Sequence, residues 1–184
     1  MKRIGILGDI GSGKSYIAKN FGYPVFDADK EVSEIYKKDK KIFLKLKKVL
    51  PDYFVEFPIK KNEIIKEIIK DKNNLKKIIK IIHVEIRKKL KSFIKKNKNK
   101  KFVILDIPLL LENKINTSKD ILIYVEPKKS EILKKLKKRP NYNKKLINKF
   151  KKLQLSLVYK KKKSNFIIKN NFTYKSVKKQ IDNV

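Results

Sequence analysis

The stretch GDIGSGKS, residues 8–15, restricts this chain more than any other part of it. It fits G-x-x-x-x-G-K-[S/T] at every fixed position, and it follows RIGIL (residues 3–7), an apolar run that reads as a short buried strand. KSYIAKNF comes next, with Ile17, Ala18 and Phe21 at helical spacing. Between a strand and a helix, a glycine-rich backbone can turn its N–H groups onto phosphate oxygens at the positive end of the helix. Lys14 is spaced to reach the β- and γ-phosphates of a nucleotide, and the Ser15 hydroxyl to bind Mg²⁺. PVFDAD then supplies a second short strand ending in Asp27 and Asp29, which completes a βαβ unit. Asp27 closes that strand at the carboxyl edge of the sheet, where open α/β folds bind ligands. There it can orient an attacking hydroxyl or accept its proton. Asp29 is equally suited to capping the next helix.

Beyond the unit, residues 31–98 have the texture of Lys-rich amphipathic helices, interrupted by PDYFVEFP at residues 51–58. NEIIKEIIK and NLKKIIKIIHVEIRKKLKSFIKK carry apolar pairs every three or four residues. KFVILDIPLL returns to a continuous apolar run, as expected of a parallel strand covered on both faces. DILIYVEP gives a fourth strand and NFIIKNN a fifth. A helix at residues 130–138, a long basic helix reaching residue 163 and a closing helix complete the pattern. The expected fold is α/β, a five-stranded parallel sheet flanked by helices. Its core spans residues 1–30 and 100–184, and residues 31–98 form a helical insertion.

Composition matters mainly for what it excludes. There is no Cys, so disulfides, thiolate metal sites and cysteine nucleophiles are out, in keeping with a reducing cytoplasm. No stretch approaches the roughly 20 apolar residues of a membrane span. With 51 Lys plus Arg against 18 Asp plus Glu, the net charge of +33 invites a nucleic-acid reading. However, the only arginines are Arg3, Arg87 and Arg139, and Ala occurs only at Ala18 and Ala28. An AT-rich coding sequence gives that slant and scatters Lys over every solvent face, including the Lys runs at residues 95–101 and 160–163. A nucleic-acid protein tends to gather charge on one face and to mix in Arg. Against such a background, a retained Arg marks a site that needs the planar guanidinium.

GDIGSGKS, VFDAD, a lone His with an Arg four residues on, and LDIPLLLE together resemble the dephospho-CoA kinase family, across essentially the whole chain and in order. The resemblance implies a P-loop NTPase fold and transfer of the γ-phosphoryl group of ATP to the ribose 3′-hydroxyl of 3′-dephospho-CoA. It implies that Gly11, Ser12, Gly13, Lys14, Ser15 and Tyr16 bind ATP, with Mg²⁺ on Ser15 and Asp106. Lys14, Asp27 and Arg139 would be catalytic, Asp27 facing the acceptor hydroxyl and Arg139 lying on a lid at residues 139–150. Asp27, Asp29, His83, Arg87, Pro108, Leu109 and Glu112 would line the acceptor site. His83 and Arg87 are one helical turn apart, so both can face one ligand. Gln154 and Asn170 also match family positions. Departures are Val84 in place of a proline, Tyr16 in place of a second hydroxyl, Leu111 in place of an aromatic, Ser164 and Asn165 in place of Ala-Asp, and Phe172 near a usual glycine. The implied enzyme is a cytoplasmic monomer acting on a small molecule, without nucleic-acid or membrane partners. A nucleoside or nucleotide kinase of the same fold is the nearest alternative, and a nucleic-acid-binding ATPase the next.

Overall fold

The apolar run at the N-terminus forms β1 (Lys2–Gly8), the middle strand of a five-stranded sheet in the computed structural model of the chain, which describes residues 1–60, 64–65, 71–138 and 142–184. The other strands are β2 (Val25–Asp27), β3 (Phe102–Asp106), β4 (Ile121–Pro127) and β5 (Phe166–Asn170). Their order is β2-β3-β1-β4-β5, and every pairing is parallel. From β1 the chain crosses to the β2 side of the sheet, while from β3 it crosses back over β1 to β4. Connections therefore diverge at the carboxyl end of β1, which opens a ligand crevice in this class of sheet.

Eight helices are described: α1 (Lys14–Asn20), α2 (Ala28–Lys38), α3 (Lys40–Val49), α4 (Lys72–Lys96), α5 (Lys129–Lys137), α6 (Lys144–Lys152), α7 (Leu157–Lys163) and α8 (Tyr174–Asp182). They fall into two compact units, one made of Met1–Asp27 with Asn97–Val184 and the other of Ala28–Lys96. The sheet unit packs Ile17 and Ala18 of α1 and Val177 and Ile181 of α8 against Ile4, Ile6, Ile104, Ile123, Val125 and Ile168. Alternate strand positions, among them Leu7, Val103, Leu105, Leu122 and Tyr124, are buried as well, so both sheet faces are apolar. In the helical unit, Ile35, Ile42, Phe43, Leu46, Ile78, Ile82, Ile86 and Leu90 are buried, and α4 packs against α2 and α3. Among the described residues, no helix is long and apolar enough to cross a membrane.

The structure departs from the sequence expectations at the basic helix before β5. Instead of one helix to residue 163 there are two, because Ser156 breaks and restarts the path. Its hydroxyl accepts from Tyr159 N at 3.2 Å as the N-cap of α7. The Lys run at residues 160–163 is not wholly a solvated end either, since Lys160 is only 3% exposed. Most of NEIIKEIIK, and Arg139 with Pro140 and Asn141, lie outside the described residues.

Candidate active site

The phosphate loop joins β1 to α1, and Gly13 caps the helix in the left-handed region at φ 90°. A side chain there would be blocked as well as strained, since an ideal Cβ would collide with Asn170 Nδ2. Asn170, 1% exposed at the end of β5, donates Nδ2–H to Ser12 O at 2.8 Å. Its Oδ1 accepts from Phe172 N at 2.8 Å, which fixes a left-handed Phe172 (φ 65°). One buried amide thus ties the loop to the β5–α8 turn. Leu136 and Ile132 of α5 cover the loop at Gly11. Lys14 Nζ donates to Asp9 O at 2.8 Å and Gly8 O at 3.2 Å. The Asp9 carboxylate accepts from Ile10 N at 2.6 Å and lies 3.7 Å from Lys151 Nζ on α6. Beside it on β4, Tyr124 has its hydroxyl pKa raised, first by burial and then by the charges of Asp9 and Glu126. Ser15 and Tyr16 are exposed in the first turn of α1.

Asp27 and Asp106 end neighbouring strands in register with each other. Adjacent strands lie about 4.8 Å apart, so the two carboxylates share one stretch of the carboxyl edge. Asp106 is 5% exposed and Asp27 half-buried. The chain then enters a loop with Pro108 exposed, Leu109 left-handed at φ 59°, and Leu110 fully buried. Leu109 holds that conformation at a cost of about 1–2 kcal/mol. Glu112 follows in the same loop, with its side chain enclosed within the sheet unit. Its Oε1 accepts from Lys160 Nζ at 2.8 Å and Leu155 N at 2.9 Å, and its Oε2 is buried with no partner among the described residues.

The remaining candidates belong to the helical unit. Asp29 is exposed in the first turn of α2, inside the helix and not at its cap, where a carboxylate meets the positive helix end. On α4, His83 is half-buried and Arg87 exposed. Burial, and secondarily the Arg87 charge, lower the His83 pKa, so the imidazole is neutral at neutral pH. Lys89 of α4 and Glu31 of α2 pair at 3.1 Å.

Two structural participants were not evident from sequence as such. Asn170 carried a family match but no visible task until its bond to Ser12 O was seen. Lys160 sits among four consecutive lysines, and nothing local separates it from its neighbours. Asn165, one of the departures, bonds Leu122 at both N and O (2.8 Å each), so it starts β5 in register.

A model of the dephospho-CoA kinase family matches residues 2–176. The chain is 33% identical to the dephospho-CoA kinase of Wolbachia pipientis wMel over 98% of its own length and 95% of that protein. It is 31% identical to the Fusobacterium nucleatum dephospho-CoA kinase over 97% and 94%. The solved dephospho-CoA kinase of Campylobacter jejuni shares the fold, with a TM-score of 0.63 at 22% identity over 99% and 94% of the two chains. A family match over nearly all of the chain, with relatives above 30% identity, settles the family: this chain belongs to the dephospho-CoA kinases.

Proposed function

We propose that this enzyme transfers the γ-phosphoryl group of ATP to the ribose 3′-hydroxyl of 3′-dephospho-CoA, releasing CoA and ADP as the last step of coenzyme A biosynthesis. Within the family, the observation that carries the chemistry is Asp27 in register with Asp106 at the strand edge of the unit that holds the phosphate loop. Gly11, Ser12, Gly13, Lys14, Ser15 and Tyr16 bind the ATP phosphates through backbone N–H groups and the Lys14 ammonium. Asp27 takes the proton of the 3′-hydroxyl as the oxygen bonds to the γ-phosphorus and the bond to the β–γ bridging oxygen breaks.

Ser15 and Asp106 fit Mg²⁺, being hard oxygen donors, one at the start of α1 and one at the end of β3. Among the described residues, no group of three or more His, Cys, Asp or Glu side chains stands ready to hold a metal, so the remaining ligands would be phosphate oxygens and water. When bound, Mg²⁺ neutralises phosphate charge. Asp29, His83, Arg87, Pro108, Leu109 and Glu112 are assigned to the acceptor site, Arg87 as a cation for the pyrophosphate and Glu112 by shaping the loop. Arg139 and the lid at residues 139–150 are assigned from sequence, the arginine stabilising charge on the transferred group. The enzyme acts in the cytoplasm as a monomer.

The test is a panel of acceptors with ATP and Mg²⁺, measuring CoA and ADP. CoA formation is expected. A nucleoside phosphorylated in place of dephospho-CoA, or ADP release that requires DNA or RNA, overturns the reading. Asp27→Ala should lower turnover by at least about a hundredfold, the usual scale of a positioned proton acceptor, with ATP still bound.

A further inference from the structure

We infer that Lys160 and Glu112 form a latch that positions the loop after β3 for the acceptor; this rests on the reading above. Lys160 and Glu112 side chains are 4% and 9% exposed and meet at 2.8 Å. Leu155 N donates to the same Oε1 at 2.9 Å, so one carboxylate oxygen gathers the link between α6 and α7 and the first turns of α7. The other oxygen is buried with no partner among the described residues.

A buried ion pair in this state does little for stability, because desolvating two charges offsets their attraction unless every lone pair is satisfied. What it does supply is a fixed register between two segments. One is the loop carrying Pro108 and the left-handed Leu109, directly after Asp106. The other follows α6, whose Lys151 approaches Asp9 of the phosphate loop. The phosphate loop has its own clamp in Asn170, so the latch acts mainly on the loop after β3. Lys160 is thus a positioning residue, acting through Glu112 and touching neither substrate.

The experiment measures kcat, the separate KM values for ATP and dephospho-CoA, and Tm for wild type, Lys160→Met, Glu112→Gln and the double variant Glu112→Gln/Lys160→Met. Each single variant strands a polar partner and is expected to lower Tm. The double variant removes both charges, keeps an acceptor for Leu155 N, and is expected to regain most of that Tm. Its KM for dephospho-CoA is expected to stay raised about tenfold, with KM for ATP changed less than about threefold, the scale of a positioning effect carried through packed neighbours. A double variant with wild-type KM for dephospho-CoA overturns the latch while leaving the activity standing. So does a rise confined to KM for ATP. Wild-type protein that leaves dephospho-CoA untouched overturns the activity and the latch's role with it.

Discussion

Gly13 and Asn170 show how tightly single residues are fitted at the phosphate loop. The Asn170 amide is held by bonds at both ends, to Ser12 O and from Phe172 N, so it has no room to retreat from a Cβ at position 13. Gly22 is the natural comparison: it is also left-handed, at φ 71°, but nothing lies within 4 Å of its missing Cβ. Gly22→Ala should therefore cost only the left-handed strain of about 1–2 kcal/mol, lowering Tm by a few degrees with ATP affinity unchanged. Gly13→Ala adds a collision with a fixed group and should weaken ATP binding at least about tenfold by calorimetry. Equal ATP affinities in the two variants would show that the Asn170 contact does not shape the loop. The same scale gives one arginine a task. Arg3 donates from a single nitrogen, Nη2, to Asp120 Oδ2 at 2.6 Å and to Ile115 O at 3.0 Å. Its role is structural, anchoring the end of the loop before β4.

At the scale of elements, α4 places a half-buried His83 one turn before Arg87, and the pH response follows first from that burial and then from the Arg87 charge. The folded pKa of His83 lies below its unfolded value near 6.5. The unfolded chain therefore binds the proton more readily. The neutral imidazole's stabilisation is complete above the unfolded pKa and lost as pH falls through the folded one. His83→Gln should flatten the dependence of Tm on pH between about pH 7.5 and 5.5, a window set by that reference pKa. An unchanged slope would mean that His83 does not titrate differently on folding. Element identity was largely legible in the sequence because the strands are apolar runs bounded by Gly, Pro or Asp, and α1 and α4 keep helical spacing. The break between α6 and α7 was only half legible: Ser156 is a local capping signal, but Leu155 N pairs with Glu112, 43 residues away. The cap and the long-range partner together end one helix in LQLS and start the next. Glu112 was likewise readable as a motif residue, but its buried partner Lys160 came from within a uniform lysine run.

Across the whole molecule, the lysine excess is best understood as a solvated background from which Lys160 is the exception. It is the only Lys among the residues whose burial is described to fall in the buried class. Among the described residues, half of the ion pairs are exposed and local, such as Lys38 with Glu34 at 2.6 Å and Lys178 with Asp182 at 2.6 Å, each on successive turns of one helix. Exposed pairs of this kind contribute about 0–1 kcal/mol. With 51 cationic and 18 anionic side chains, most cations have no anion to pair with, and the net field opposes compaction. Added salt weakens both effects, so the sign of the response tells which is larger. Raising NaCl from about 0.01 M to about 0.15 M shortens the screening length from about 30 Å to about 8 Å, which removes long-range repulsion before it removes contacts of 3 Å. Tm should therefore rise by several degrees over that interval. Chloride is the appropriate salt because sulfate or phosphate would also bind at the helix N-terminus of the phosphate loop. A Tm that falls as NaCl is added would show that the ion pairs outweigh the repulsion, and the lysines would then have to be organised into networks rather than scattered by composition.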